Sequence, residues 1–374
     1  MKKVLAILLT CMFVFPAIAQ ELVNVGSREA IVSPEFSGNK VTFRFSAPNA
    51  KEVKLYGSWM AAYTDTETLT KNSNGVWELT INTPAPEIYT YNFLVDGVSV
   101  SDPNNIAMQR DGRRYLSMLL VDGQKTAHYK EANKRGNLEE VWYDSPTIGL
   151  NRRMFVYTPY GYETSTQKYP VLYLLHGGGG DEDAWSSMGR ARQILDNLIE
   201  KGLAKPMIVV MPNGNPGQQA AQTLMLPVKT FEQGTATNLY IHSLAKDIVP
   251  YIEKNYRAIA ERDSRAVSGL SMGGGHTMSV TLEYPGMFGY ICPMSMGIRD
   301  EQEVDEKMQA LKRAGYKLYW IACGDADFAF PSAKLLDEAL TRNGLQHTFH
   351  ITGGGHTWPN WRDYLNTMAP MLFR

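Results

Sequence analysis

Residues 268–277 read SGLSMGGGHT. A short apolar run, Ala266 to Ser268, leads into them, and a helix-like stretch follows. A lone serine, Ser271, stands between Gly269 and the three glycines 273–275. In an open parallel sheet the functional loops lie beyond the carboxyl ends of the strands. A G-x-S-x-G pattern at such a junction puts the serine on a strained turn, and its glycines let strand and helix approach closely. The hydroxyl is then pushed out above the sheet. The Met272 N–H, at the start of the helix, can point at an oxyanion developing beside it. Five residues match by chance often enough that the remaining parts have to be found elsewhere.

A hydroxyl becomes a nucleophile when a base takes its proton. Of seven histidines, His276 is five residues past Ser271 on the same helix, where it would point away. His347 and His350 lie within a strand pattern, whereas His356 follows ITGGG in a loop that can fold back over Ser271. The base needs an acceptor to fix its tautomer. WIACGDADF (320–328) ends a strand between the two and offers Asp325 and Asp327. The chain order Ser, Asp, His on three strand ends is a stronger signal than the turn alone. Upstream, LLHGGGGDEDAW (174–185) follows a buried strand, and a glycine-rich loop there can supply a second oxyanion N–H because no Cβ blocks the approach. A phosphate loop would want Gly-Lys-Ser/Thr; this loop carries carboxylates instead. No His/Cys/Asp/Glu cluster has metal-ligand spacing, so neither metal nor cofactor is expected.

The chain has 374 residues, 44% hydrophobic and 20% charged, with a formal net charge of -1, which suits a soluble two-domain protein and disfavours nucleic acid or an anionic membrane as partner. Residues 1–19 read as an export signal: Lys2 and Lys3, an apolar stretch to Phe15, and Ala17-Ile18-Ala19 before the cut. The stretch is too short to span a bilayer, and Thr10 before Cys11 argues against a lipoprotein. The location expected is periplasmic or secreted. Cys292 and Cys323 fall in separate apolar strands and are read as unpaired.

Residues 20–122 form the first domain. There NKVTFRFSAP turns Val41, Phe43 and Phe45 inward with period two, and GVWELTI and IYTYNFLVDG repeat the pattern between turn residues, which is the signature of a β-sandwich. The polar tract 123–136 reads as a linker. From 137 to 374 apolar strands alternate with helical stretches such as RARQILDNLIEKG, implying crossover units and a mainly parallel sheet. Trp361 and Trp77 read as core. Trp185 and Trp358 are candidates to stack a ring or sugar or to pack the core, and Trp59 with Tyr63 is the candidate sugar platform of the first domain.

Taken together, RRMFVYTPYGY, YPVLYLLHGGGGDEDAW, VVMPNGN, SGLSMGGG, CGDADF and GGGHTWPNWRDYL resemble carbohydrate esterases of the feruloyl esterase type, in the esterase D and antigen-85-like branch of the α/β-hydrolases. VTFRFSAPNAKEVKLYGSW and YTYNFLVDGVSVSDPNN resemble a carbohydrate-binding module of the glycogen-branching-enzyme type. The resemblance implies an α/β-hydrolase whose mainly parallel sheet is flanked by helices, preceded by an all-β immunoglobulin-like sandwich. It further implies Ser271 as nucleophile, His356 as base, Asp327 as acid with Asp325 in reserve, and Met272 and Gly178 as oxyanion donors. The implied substrate is a feruloylated xylo- or arabinoxylo-oligosaccharide or polysaccharide. Acetyl xylan and siderophore esters are the alternatives, the latter disfavoured by acidic site loops. From another class, a non-catalytic glycan-binding protein is opposed by the intact Ser, Asp, His set.

Overall fold

A computed structural model describes residues 31–374 apart from 62–63, 113, 222–234 and 300–303. The expected export signal and Tyr63 lie outside the described residues. The first domain comprises β1 (Glu35–Ser37), β2 (Lys40–Ser46), β3 (Val53–Gly57), β4 (Glu67–Thr68), β5 (Thr70–Lys71), β6 (Val76–Asn82), β7 (Ile88–Val95), β8 (Val98–Val100), β9 (Met108–Asp111) and β10 (Arg114–Leu120). One sheet runs β1-β2-β6-β5 and the other β4-β3-β7-β10-β9, with β8 on β7. The period-two reading holds: Val41, Phe43 and Phe45 are buried between the sheets with Trp77, Tyr91 and Phe93. Trp59 is half-buried instead of standing free, stacked on Phe43 at 5.7 Å and edge-on to Tyr89 at 5.8 Å.

The second domain is built on β11 (Asn137–Ser145), β12 (Leu150–Thr158), β13 (Val171–Leu175), β14 (Ile208–Pro212), β15 (Arg265–Leu270), β16 (Tyr290–Met294), β17 (Leu318–Gly324) and β18 (Thr348–Thr352). Their order is β11-β12-β14-β13-β15-β16-β17-β18. β11, β12 and β14 pair antiparallel, and every pairing from β14 to β18 is parallel. The helices that matter to the site are α1 (Ala184–Ser187), α2 (Ala191–Glu200), α3 (Thr235–Ser243), α4 (Val249–Asn255), α5 (Met272–Glu283), α6 (Asp305–Ala314), α7 (Phe330–Arg342) and α8 (Trp358–Met368).

Strand β13 explains why the sheet is covered on both faces. All five of its residues are buried, and successive side chains point to opposite faces. Leu172 and Leu174 pack with Leu195 of α2 and Leu365 of α8, while Val171, Tyr173 and Leu175 pack with Leu244 and Ile252 on the other side. Cys292 and Cys323 are buried and unpaired, as read from the sequence. The tract 123–136 is laid along the α/β domain: Tyr129 is fully buried, and Asn197 Nδ2 donates to the Lys130 carbonyl at 2.8 Å. From α8, Arg362 crosses to the sandwich, where it donates to Glu87 Oε1 and to the Ile88 carbonyl, each at 3.0 Å.

Helix α5 lies against the sheet at a distance that excludes side chains. A Cβ on Gly273 would stand 2.6 Å from the carbonyl oxygens of Leu175 and His176, and one on Gly269 would stand 2.5 Å from the Gly273 carbonyl. Gly274 is likewise pressed on the Met294 carbonyl at 2.8 Å, whereas Gly275 has room. In an ordinary helix Gly→Ala stabilises by about 0.5–1 kcal/mol. Here the sign reverses, because rigid backbone blocks the added carbon. Gly273→Ala should destabilise by about 1–3 kcal/mol in urea unfolding, and a stabilised variant would contradict the close approach.

Candidate active site

Ser271 adopts φ 51°, ψ −117°, a conformation costly for a residue with a Cβ. Two hydrogen bonds hold it there: the Ser271 N–H donates to the Met294 carbonyl at 2.9 Å, and its own carbonyl accepts from the Gly275 N–H at 3.0 Å. The strain lifts the hydroxyl into a cavity of about 630 Å³ lined also by Gly177, Gly178, His356 and Trp358. That volume suits a small organic ligand.

His356 and Asp327 meet because their loops continue the β17–β18 ladder. The Asp325 N–H donates to the Thr352 carbonyl at 2.8 Å, and the Ala326 N–H to the Gly354 carbonyl at 3.1 Å. Gly354 has φ +89°, and a Cβ on Gly324 would collide with its carbonyl, so glycines are required on both sides of this junction. Asp327 is thereby turned inward, and its Oδ1 and Oδ2 accept from His356 Nδ1 at 2.9 and 3.1 Å. Asp325 points to solvent and makes no such bond. With Nδ1 committed to the carboxylate, Nε2 is left for the cavity. No hydrogen bond joins Ser271 to His356 in this structure; such contacts commonly tighten only when substrate is in place. Two residues that the sequence did not signal flank the imidazole. Phe328, 76% exposed, lies over it at 4.2 Å, and Ser295 accepts from the Trp361 Nε1–H at 2.9 Å behind it. Trp361 itself is buried, edge-on to the imidazole at 4.9 Å.

The loop 177–180 closes a turn in which the Gly180 N–H donates to the Gly177 carbonyl at 3.2 Å and Gly179 has φ +77°. The Gly178 N–H is left out of that bond. A Cβ on Gly177 would touch Ser271 Cβ at 3.4 Å, which places the loop beside the serine. Met272 begins α5, whose first N–H groups have no partner inside the helix. Buried His176 fastens the loop from beneath. Its Nε2 accepts the Gly214 N–H at 2.7 Å, so its Nδ1 carries the proton and donates to the Gly177 carbonyl at 2.8 Å. Burial lowers its pKa and keeps it neutral. His276 is buried too, pushed down to about 3 by desolvation, and faces Tyr240 instead of the cavity.

One expectation needs correcting. Trp185 is 1% exposed, its Nε1–H donating to the Leu175 carbonyl at 2.9 Å, so it is core and cannot stack a substrate. It buttresses Trp358, edge to face at 5.3 Å, and Trp358 is the one that lines the cavity. The loop's acidic residues are ion-paired, with three carboxylates on two arginines. Arg110 of β9 pairs with Asp181 and Asp183, and Arg153 donates to Glu182 at 2.7 Å. The sandwich also contributes directly, placing Thr90, Asn92, Gln109 and Arg114 on the cavity wall. No group of His, Cys, Asp and Glu fit to hold a metal occurs among the described residues.

Residues 145–372 match the family model described as "Putative esterase". The chain belongs to this esterase family. Residues 29–108 match carbohydrate-binding module 48, the isoamylase N-terminal domain. An endo-1,4-beta-xylanase/feruloyl esterase of Xylanibacter ruminicola is 32% identical over 89% of the chain, which spans only 44% of that longer protein. A ferulic acid esterase from Anaeromyces mucronatus is 25% identical, with TM-score 0.56, over 68% of this chain and 98% of its own. The enterobactin esterase of Shigella flexneri, at 16% identity, shares the fold over 89% of the chain and 92% of its own, with TM-score 0.62.

The site generates a pH dependence. Burial would raise the Asp327 pKa, but the hydrogen bonds from His356 and the Ala329 N–H outweigh it and the net shift is downward. A carboxyl depressed on folding stabilises the protein above its unfolded value, near 4, and that contribution fades as pH falls through the folded value. In urea unfolding below about pH 4, Asp327→Asn should flatten the acid loss of stability relative to the unsubstituted protein. Identical acid limbs would refute the shift.

Proposed function

We propose that the chain is a serine esterase that removes hydroxycinnamoyl groups, ferulate above all, from arabinoxylan. The observation that carries this reading is a strained serine sharing one cavity with an imidazole already oriented by a buried carboxylate. Ser271 Oγ attacks the ester carbonyl as His356 Nε2 takes its proton. The oxyanion forms against the Met272 and Gly178 N–H groups, and the sugar alcohol leaves with the proton returned by His356. Water, deprotonated by the same imidazole, then attacks the acyl-enzyme and frees the acid and Ser271. Asp327 keeps the imidazole in the Nδ1–H tautomer throughout.

The substrate class is supported by the wall chemistry and by the relatives' names. Trp358, Leu270 and Met188 offer apolar surface to an aromatic acyl group, and Thr90, Asn92 and Gln109 on the facing sandwich offer hydrogen bonds to sugar hydroxyls. The module-like domain would then hold the same molecule that the serine attacks. Export, as residues 1–19 suggest, would bring the enzyme to a polymer outside the cytoplasm. A catecholate ester is the second reading. The carboxylates of the site loop are engaged by Arg110 and Arg153, and Arg114, paired with Asp111, stands at the cavity with its side chain 72% exposed.

Ser271→Ala should lower turnover by a factor on the order of 10⁶ while leaving the melting temperature unchanged, and should abolish labelling by a fluorophosphonate. Turnover that survives the substitution would end the esterase reading. Among methyl ferulate, acetylated xylan and a tricatecholate ester, methyl ferulate should show the highest kcat/KM; a different winner reassigns the acyl group. Asp327→Asn should reduce kcat by about 10³–10⁴, and Asp325→Asn should leave it within about twofold, because its carboxylate touches nothing in the site. The opposite ranking would exchange their roles.

A further inference from the structure

We propose that Arg110, a residue of the sandwich, is a positioning residue for the oxyanion loop of the other domain; the inference rests on the esterase reading of that loop. The loop 177–180 consists of four glycines, which have no side chains with which to anchor themselves. Its place relative to Ser271 is therefore set by what grips its backbone, where Asn215 Nδ2 donates to the Gly180 carbonyl at 2.7 Å, and by its two ends. The near end is fixed from within the α/β domain by His176, through the Gly177 carbonyl. The far end is Asp181, and what holds it comes from β9.

Arg110 Nη1 donates to Asp181 Oδ2 at 2.6 Å while Nη2 donates to Oδ1, a parallel pair of bonds that fixes both distance and orientation. Its Nε donates to Asp183 Oδ2 at 3.1 Å, and its backbone N–H to Ser187 Oγ at 3.1 Å. The guanidinium side chain is 5% exposed and that of Asp181 10%, so water competes little for these bonds. Beside it, Gly112 comes so close to the loop that a Cβ there would lie 3.0 Å from the Gly179 carbonyl. The Arg110 Nη1 also donates to the Gly112 carbonyl at 2.7 Å, so the same side chain braces the residue that touches the loop. One guanidinium thus ties the loop's end and the wall beside it into a single rigid unit.

Removing Arg110 takes no atom from the reacting groups; the His176 and Asn215 bonds remain, but the far end of the loop loses its side-chain anchor and the Gly178 N–H is held less tightly. An oxyanion donor acts on the transition state, so its loss of position lowers kcat more than it raises KM. In the full-length protein, Arg110→Ala should lower kcat about 10- to 100-fold on both p-nitrophenyl acetate and methyl ferulate, with KM changed less than about threefold. Arg110→Lys, which keeps the charge and loses the parallel pair, should recover part of that kcat. Wild-type kcat in a cooperatively melting Arg110→Ala, or a defect confined to KM, overturns the proposal. If Arg110→Ala does not fold, Arg110→Lys decides: reduced kcat at unchanged KM and melting temperature supports it, and wild-type kcat overturns it. A wild-type protein inactive on both esters would instead bring down the reading of the site, and this inference with it.

Discussion

The site begins with the absence of three Cβ atoms. Because residues 269, 273 and 274 are glycine, α5 can lie directly on the ends of β13 and β16, and the chain between strand and helix is left only a cramped turn. Ser271 absorbs that turn in its backbone, and the strained φ is what aims its hydroxyl out of the sheet. The same closeness brings β13's end, and with it the glycine loop 177–180, beside the serine. The strained serine and the glycine loop beside it are thus consequences of one packing distance.

Around that fixed point the structure uses backbone ladders before side chains. His356 and Asp327 are neighbours because two loops go on exchanging N–H···O=C bonds after β17 and β18 have ended. The carboxylate–imidazole contact is then made between groups already brought together, so little conformational entropy is left to lose in forming it. The aromatic groups around the imidazole, Phe328 over its face and Trp361 at its edge, restrict the ring without competing for its nitrogens.

Much of this was readable from residue order. Period-two runs such as Val41, Phe43 and Phe45 determine which face of a strand is wet, and the structure buries all three. Ser271, Asp327 and His356 each sit at the end of an apolar run beside glycines, so each carried a local mark. The choice of Asp327 over Asp325 needed the family resemblance, since both follow the same strand and only the loop's curl separates them. Trp185 and Trp358 could not be ranked, because one tryptophan standing behind another is a tertiary fact. The pairing of the DED loop was unreadable for the same reason: its partners are Arg110, about seventy residues upstream, and Arg153, neither with a sequence signature. Local pattern reports backbone geometry well and distant ion pairs not at all.

That blind spot coincides with the contact between the domains. Apolar contact is non-directional and can tolerate sliding, whereas an oxyanion donor must lie within a few tenths of an ångström of its acceptor. A sandwich resting on the catalytic domain by apolar surface alone would leave the loop between them loosely placed. Two buried arginines change this: Arg362 ties the helix behind His356 to Glu87, and Arg110 ties the loop after Gly180 to β9. Buried ion pairs are weak sources of net stability, since desolvation consumes most of their attraction. Their value here is geometric. Each adds directional bonds to that interface, and the two stand behind the loops that carry His356 and the glycines 177–180.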